Sequence, residues 1–289
     1  MPPPDGDAPA SRWRSYRDVD AAVDPGALGA YMDHLATIPA VAREKARSLE
    51  LLGLRPGDSC LDVGCGTGPE LAALAATVGV DGRVVGVDRS EVLTETARGR
   101  DASPGGAPGV ATPGRAPVEL VVGDAHRLPF ADGAFHACRA DRTLQHLAAP
   151  GTALGEMARV TRPGGRVVVT EFRWGLVAPS LDREVTDQVL GMMASPGDRA
   201  AWLGHRLVDM FGAAGVTEAR ATSADYTLDR HEQIAALMNL EWSMQAAIGS
   251  GAVTTARAMA WERALREAAA NGEAFAGIVF QHVAGLKLR

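Results

Sequence analysis

The amino-acid sequence predicts an α/β protein built on a seven-stranded, mostly parallel β-sheet with helices on both faces. Two observations carry this prediction. Short apolar segments of strand length alternate with segments of helical periodicity along most of the chain, an alternation typical of βαβ units. A glycine-rich loop also follows the first strand directly, where doubly wound sheets bind ligands. We further expect helices before the first strand and a helical lid inserted after the fifth.

The segment before the first strand divides into an arm and two helices. Residues 1–24 are rich in Pro, Asp and Ala, and we predict a flexible N-terminal arm. Apolar residues then recur at helical spacing from Leu28 to Ile38, and a second helix is predicted over Ala42–Leu54.

Seven apolar segments of strand length follow, with helical segments among them. The predicted strands are Ser59–Val63, Gly82–Asp88, Val118–Val122, Ala134–Arg139, Gly165–Glu171, Val216–Tyr226 and Phe275–Leu288. The predicted helices are Pro69–Val78, Ser90–Arg98, Ala153–Val160, Arg230–Ile248 and Val253–Asn271.

Two longer connections interrupt this pattern. Residues 99–117 contain five Gly and four Pro without periodicity, and they read as a solvated loop between a helix and a strand. Residues 174–215 are mostly helical, with a break at Ser195–Asp198, and we predict a variable helical cover. Because the strand pattern resumes after the loop, we expect one domain over residues 25–289, with its ligand-binding core at 45–172.

Composition narrows the range of functions. The chain has 289 residues, 46% of them hydrophobic, so it can build a core of its own. It carries 29 Lys and Arg against 35 Asp and Glu, a net charge of −6, which disfavours nucleic acid as a partner. No apolar run approaches the ~20 residues of a membrane helix, and no secretory signal is recognised. The three cysteines form neither a disulfide framework nor a metal knuckle, so we expect a cytoplasmic protein.

The glycine loop is the most informative motif. Gly64, Gly66 and Gly68 follow the first strand and open a helix, and Asp62 stands two residues before the first glycine. A dinucleotide fingerprint would have its third glycine where Pro69 stands, and a carboxylate at Asp62 would repel a pyrophosphate but attract an amino group. No Gly-Lys-Ser/Thr follows, so a phosphate-binding P-loop is excluded.

Two more acids follow the next two strands. Asp88 ends the second strand, where a carboxylate can accept hydrogen bonds from both hydroxyls of a ribose. Asp124 follows the third strand. Because parallel strands end at the same edge of a sheet, the three acids are expected to line one crevice.

Together these motifs resemble those of class I S-adenosylmethionine-dependent methyltransferases, which have a Rossmann-like fold. The chain is most similar to the small-molecule enzymes that include ubiquinone and menaquinone C-methyltransferases and actinobacterial natural-product methyltransferases. The motifs that carry the resemblance are Asp62–Gly68, Val87–Asp88, Gly123–Ala125 and Arg162–Gly165.

The resemblance implies S-adenosylmethionine as cofactor, a small molecule as methyl acceptor, and roles for particular residues. In this family Asp62 helps to hold the amino group of the methionine part, and the loop backbone, Cys65 included, packs against the same part. By the same resemblance Asp88 binds the ribose, Arg89 flanks the adenine, Asp124 and Ala125 meet its edge, and Arg139 approaches the sulfonium through its backbone.

His146 is the candidate catalytic residue. Relatives often carry two adjacent histidines here, whereas this chain has Gln145 and then His146. An imidazole suits a general base at neutral pH, but methyl transfer needs mainly alignment, so His146 either accepts a proton or only positions the acceptor. The histidines show no metal-binding spacing, and we predict no metal site.

The sequence leaves several alternatives open. O-, N- and C-methylation are not distinguished, and a protein of this fold that binds the cofactor without transferring its methyl group is the alternative function. We expect neither a nucleic acid nor a membrane as partner, and we allow for a homodimer.

Overall fold

The structure, a computed structural model of the chain, describes residues 19–20, 25–101, 114–192 and 203–288. The strands are β1 (Ser59–Val63), β2 (Arg83–Asp88), β3 (Val118–Val122), β4 (Phe135–Asp141), β5 (Thr161–Val177), β6 (Val216–Leu228) and β7 (Phe275–Lys287). The α-helices within these ranges are α1 (Pro25–Thr37), α2 (Pro39–Leu51), α3 (Leu71–Val78), α4 (Glu91–Asp101), α5 (Pro150–Val160), α6 (Arg183–Gly191), α7 (Leu207–Ala213), α8 (His231–Met238), α9 (Leu240–Gly249) and α10 (Thr255–Ala270). Short 3₁₀ turns cover Leu144–His146 and Leu203–Arg206.

The seven strands form one sheet in the order β3-β2-β1-β4-β5-β7-β6. β1 is parallel to both β2 and β4, and parallel pairing continues from β2 to β3 and from β4 to β5. The predicted fold class is therefore confirmed. The chain moves outward from β1 to β3 and then returns to the other side of β1 with β4. Open sheets bind ligands outside the carboxyl ends of the strands at such a reversal of strand order.

Different helices cover the two faces of the parallel part of the sheet. Leu61 and Val63 of β1 belong to an apolar layer that includes residues of α5 and α7. Cys60 belongs to a second layer formed with α3 and the residue that follows α2, Leu52. Successive residues of a strand point to opposite faces, so β1 presents Asp62 to the same face as Cys60.

Helix α2 packs with polar side chains inward. Glu44, Lys45 and Ser48 are all buried, although two of them carry charge. Buried charges are tolerated only where partners surround them. The inward side of α2 therefore indicates a polar cluster on this face of the sheet.

The structure departs from the predicted elements in two places. β5 continues to Val177, where a helical stretch was expected from residue 174 onward. Half-buried and exposed residues alternate along Phe172–Val177, the period of a strand, and this short alternation was overlooked. The single helix predicted over Arg230–Ile248 is two helices, α8 and α9, because Asn239 adopts φ 43°, a left-handed conformation that ends a helix.

The described residues divide into two compact units, and the prediction of one domain over residues 25–289 stays a prediction. The larger, called the core unit, comprises 19–20, 25–101, 114–172, 203–224 and 280–288, and the smaller comprises 173–192 and 225–279. Within the smaller unit, Arg257 of α10 pairs with Asp182 and Glu184, and Trp261 donates to the Thr186 hydroxyl at 2.8 Å.

The cover predicted at residues 174–215 falls partly in each unit, and its role stays a prediction. Its break at Ser195–Asp198 lies outside the described residues. So do the predicted arm, apart from residues 19–20, and most of the loop at 99–117.

Candidate functional site

The glycine loop lies at the carboxyl end of β1, beside the reversal of strand order. The backbone N–H groups of Gly64 and Cys65 both donate to the Val87 carbonyl of β2, at 2.7 and 3.0 Å. Gly64, Gly66 and Gly68 have φ of 71°, 55° and 70°. Side chains other than glycine rarely adopt such angles, so the loop conformation depends on these glycines.

Space at the loop is also limited. A Cβ on Gly64 would overlap the Thr143 side chain, and a Cβ on Gly66 would lie 2.6 Å from Cε of Met32. Thr143 donates from its hydroxyl to the Val63 carbonyl at 3.2 Å, which joins the turn after β4 to the loop. The chain thus approaches the loop backbone closely from β4 and from α1.

Asp88 organises the loop from the end of β2. One of its oxygens accepts the Gly66 N–H at 2.8 Å, and the other accepts the Ser90 N–H at 2.9 Å. Burial raises the pKa of Asp88, an effect that these backbone hydrogen bonds oppose. A carboxylate has about four acceptor positions, so this one can still accept hydroxyl groups of a ligand.

Asp62 forms a buried ion pair with Arg139. The two residues are neighbours in the parallel register of β1 and β4, and Nη1 of Arg139 lies 2.9 and 3.0 Å from the two oxygens of Asp62. Arg139 is only 1% exposed. Burial raises the pKa of Asp62 to about 6, with Arg139 acting in the opposite direction. The resemblance implied only the backbone of Arg139; its side chain also faces the site's first acid.

This pair belongs to a wider charged cluster. Arg139 also donates from Nη2 to Asp141 at 2.9 Å and from Nε to the Ser48 hydroxyl at 3.0 Å. Lys45 of α2 lies 2.5 Å from Glu70 and 3.5 Å from Asp141. The cluster explains the polar inner side of α2, which the sequence analysis missed. A possible signal was Glu44, Lys45 and Ser48 at helical spacing beside apolar residues.

Helix α1 packs directly on the glycine loop, which the sequence analysis also missed. Thr67 of the loop donates from its hydroxyl to Asp33 at 2.7 Å, and Asp33 pairs in turn with Arg100. With the Met32 contact described above, α1 covers the loop from the side of β2 and α4.

Asp20 caps the helix that follows β2. Its carboxylate accepts the Ser90 hydroxyl and the N–H of Glu91, the latter at 2.8 Å. These hydrogen bonds lower the pKa of Asp20, although burial opposes them. Acids at a helix N-terminus are favoured by the exposed N–H groups there. The described part of the predicted arm thus reaches the same edge of the sheet as Asp88.

The adenine-side candidates lie after β3. Asp124 is exposed, and its Oδ1 accepts the backbone N–H of His126 at 2.9 Å. Nδ1 of the His126 ring lies 2.6 Å from the same oxygen. These hydrogen bonds lower the pKa of Asp124. Ala125 is buried, and Arg89 is exposed at the end of β2.

His146 ends the 3₁₀ turn that follows β4 and is half-buried. Its Nε2 lies 3.3 Å from the amide nitrogen of Gln145. The turn is capped by Glu171 of β5, whose Oε1 accepts the Gln145 N–H at 3.2 Å. The other oxygen of Glu171 is buried and has no hydrogen-bond partner within the described ranges, and burial raises the pKa of this carboxyl to about 8.

Arg142 lies between β4 and this turn in an unusual conformation. Its φ is 54°, which costs energy for a residue with a side chain. Its guanidinium contacts Asp141 at 3.3 Å and lies over the Phe172 ring at 5.8 Å from the centroid. Arg142 thus joins the end of β4 to Phe172 of β5, next to Glu171, which caps the turn that carries His146.

Cys65 and His136 pack or hydrogen-bond within the fold. Cys65 is buried, and burial raises the pKa of its thiol, so it is not a nucleophilic thiolate at neutral pH. Nδ1 of His136 lies 3.1 Å from the donating Ser59 N–H across the β1–β4 pair. In the part of the chain that the structure describes, no group of three or more His, Cys, Asp or Glu is placed to hold a metal ion. No helix in the same ranges is long and apolar enough to cross a membrane.

Comparisons with known proteins agree with this geometry. Residues 61–169 match a family model described as a methyltransferase domain. The demethylmenaquinone methyltransferase of Beutenbergia cavernae is 42% identical over 125 residues, which are 43% of this chain and 45% of that protein. The chain spans less than half the length of the curated relatives that it matches first.

Solved structures share the fold. A phosphoethanolamine N-methyltransferase 2 from Haemonchus contortus, solved with S-adenosyl-L-methionine, has a TM-score of 0.56 at 14% identity, over 95% of this chain and 60% of that one. The [4+2]-cyclase SpnF has a TM-score of 0.53 at 21% identity, over 86% of this chain and 82% of that one. The chain therefore resembles class I methyltransferases in both motif sequence and fold.

Proposed function

We propose that this protein binds S-adenosylmethionine at the carboxyl ends of β1, β2 and β3 and transfers its methyl group to a small-molecule acceptor. The observation that carries the proposal is the glycine loop at the reversal of strand order, held by the Asp88 carboxylate. The match of residues 61–169 to a methyltransferase domain supports the same proposal.

The residues present fit this cofactor better than a dinucleotide. Among the described residues, Arg139 and Lys45 are paired with Asp62, Glu70 and Asp141, so neither of these two cations is left unpaired to attract a pyrophosphate. In our proposal the loop backbone holds the methionine part and Asp62 accepts its ammonium. Asp88 accepts the ribose hydroxyls, and Asp124 with Ala125 borders the adenine.

When bound, S-adenosylmethionine supplies an electrophilic methyl group on a sulfonium. The chain's own task is then to align an acceptor with it and exclude water. Arg139 keeps Asp62 charged within a buried environment. Thr143 fixes the turn of His146 to the loop, and Glu171 caps that turn. We assign His146 to acceptor positioning, with proton acceptance as the alternative that a pH profile separates.

The acceptor and its setting are further parts of the proposal. We propose a natural-product intermediate, methylated on oxygen, nitrogen or carbon, in a cytoplasmic protein. Three buried cysteines without disulfides support a reducing compartment. The relative named as a demethylmenaquinone methyltransferase supports a small-molecule acceptor. A homodimer stays an untested expectation.

The alternative is a reaction assisted by the cofactor without methyl transfer. Its support is the shared fold with a [4+2]-cyclase. An acceptor screen with S-adenosylmethionine carrying a labelled methyl group separates the two. Label in the product supports transfer, whereas product without label supports the alternative.

The cofactor site has its own test. Calorimetry should show S-adenosylhomocysteine binding without added metal and no comparable binding of NAD. Asp88→Ala should weaken this binding at least tenfold, because hydrogen bonds to a charged acceptor contribute about 1.5–3 kcal/mol each. The exposed Asp81→Ala is the matched control. Affinity of the Asp88 variant within twofold of wild type would remove Asp88 from the ribose site.

A further inference from the structure

A cavity of about 370 Å³ opens at the edge of the sheet opposite to the glycine loop. It lies at the amino-terminal ends of β1, β4 and β5, within the core unit. Its charged lining consists of Arg55, Arg162 and Arg166, with Asp58 and His136 beside them.

The one carboxylate of this lining is already engaged. Asp58 accepts the backbone N–H of Arg55 at 2.8 Å with Oδ2, and its Oδ1 lies 3.4 Å from Nε2 of His136. Nδ1 of His136 accepts from the Ser59 N–H at 3.1 Å, which leaves the ring proton on Nε2, toward Asp58. Asp58 therefore serves the local turn and the histidine rather than the arginines.

Two of the three guanidinium groups have no partner in the described ranges. Arg166 donates to the Leu51 carbonyl at 3.3 Å, at the end of α2, and so has a structural use. The side chains of Arg55 and Arg162 form no hydrogen bond or ion pair with the described residues. Within the described residues, the cavity lining thus holds two guanidinium groups without a partner, together with that of Arg166.

This concentration of positive charge opposes the balance of the whole chain, whose net charge is −6. Guanidinium groups match phosphate and carboxylate groups with paired N–H donors. A volume near 370 Å³ falls within the range of small-molecule sites, about 300–1,000 Å³. An acidic protein that gathers arginines around a cavity has a surface suited to an anion.

We propose that this cavity binds a small polyanion with two adjacent anionic groups, of which a diphosphate is the simplest. Arg55 and Arg162 each take one anionic group, and Arg166, which also lines the cavity, adds positive charge. The site is separate from the glycine loop and does not depend on the function proposed there.

Calorimetry with inorganic pyrophosphate in metal-free buffer tests the proposal on the full chain. We expect saturable binding that weakens as salt rises from about 50 to about 300 mM, because exposed charges are screened. The Arg55→Ala/Arg162→Ala double variant should bind at least tenfold more weakly. Arg220→Ala, an exposed arginine on β6 away from the cavity, should bind within twofold of wild type.

A comparison of pyrophosphate with citrate distinguishes phosphate from carboxylate as the source of the anionic groups. Pyrophosphate bound more tightly than citrate assigns a phosphorylated ligand, and the reverse order assigns a polycarboxylate. Unchanged thermal unfolding of the double variant shows that it is folded. Absence of saturable binding at about 10 mM, or equal pyrophosphate affinity of the double variant and wild type, would overturn the proposal.

Discussion

Buried carboxyl groups set the chemistry of this site at the level of single residues. Asp62 has Arg139 as a partner, whereas among the described residues Glu171 has backbone N–H donors on one oxygen, no partner on the other, and is 0% exposed. The ionised form of Glu171 is therefore poorly stabilised. Its pKa, raised by burial to about 8, predicts a protonated acid at neutral pH, which a sequence does not reveal.

Glu171 should make stability depend on pH. Its pKa is raised to about 8 from an ordinary 4.5, so the unfolded chain releases a proton that the folded chain keeps. The stabilisation is complete below about pH 4.5 and is lost as pH rises toward 8, by up to about 1.4 kcal/mol per pH unit. Glu171→Gln should remove this loss between pH 6 and 8 in denaturant unfolding. The exposed Glu267→Gln is the control, and an unchanged slope in the Glu171 variant contradicts the assignment.

The raised pKa of Glu171 also helps to distinguish the two possible roles of His146. If His146 positions the acceptor, His146→Ala should lower kcat less than tenfold, raise KM and leave cofactor affinity unchanged. The ionisation near pH 8 should persist in this variant and disappear in Glu171→Gln. The exposed His34→Ala should resemble wild type. If His146→Ala instead lowers kcat by about 10²–10⁴-fold and removes an ionisation from the pH profile of kcat, His146 is a general base.

At the level of elements, the first helix packs on the glycine loop of the proposed ligand site. α1 contacts the glycine loop through Asp33 and Met32, residues more than thirty positions before the loop. A contact of this kind depends on tertiary packing and leaves no periodicity in the sequence.

Hydrogen exchange tests this role of α1. Asp33→Ala removes the hydrogen bond from Thr67 and the pair with Arg100, so amides of α1 should exchange faster while β1 and β2 stay protected. S-adenosylhomocysteine should slow exchange in α1 of wild type and less so in the variant. Asp81→Ala serves as control, and equal α1 protection in all three proteins would exclude the coupling.

The elements that were predicted well are those with strong local patterns. β1, β2 and β3 follow from apolar runs bounded by glycine and acid, and their ends fix the glycine loop, Asp88 and Asp124. The cluster of Lys45, Glu70 and Asp141 was not predicted, because the polar residues of α2 at helical spacing resemble a solvated face until the partner strand is known. The break at Asn239 was missed because one left-handed residue does not disturb helical spacing.

For the whole molecule, the charged cluster makes stability depend on one side chain. Arg139 neutralises Asp62 and Asp141 from a central strand. Breaking a buried ion pair on one side costs about 3–5 kcal/mol, because a charge is left alone. Arg139→Met should lower the free energy of unfolding by about that amount, measured by urea denaturation.

A second substitution separates charge from packing in this test. Adding Asp62→Asn to Arg139→Met removes the stranded carboxylate and should recover part of the loss. Arg220→Met, on the surface, should change stability by less than about 0.5 kcal/mol. A double variant no more stable than Arg139→Met would mean that lost packing, not charge, causes the effect.

The inner side of α2 also ties the beginning of the fold to its last strand. Glu44 accepts from His282 of β7 at 2.7 Å, and the same ring contacts the Thr170 hydroxyl at 2.8 Å, although 238 residues separate Glu44 from His282. A ribosome adds about 5–20 residues per second, so His282 is synthesised roughly 12–48 s after Glu44. Until then a carboxylate destined for the interior stays in water. A nascent chain that stalls before β7 therefore lacks this one contact of α2, although Lys45 and Ser48 of the same helix already have partners that precede β7.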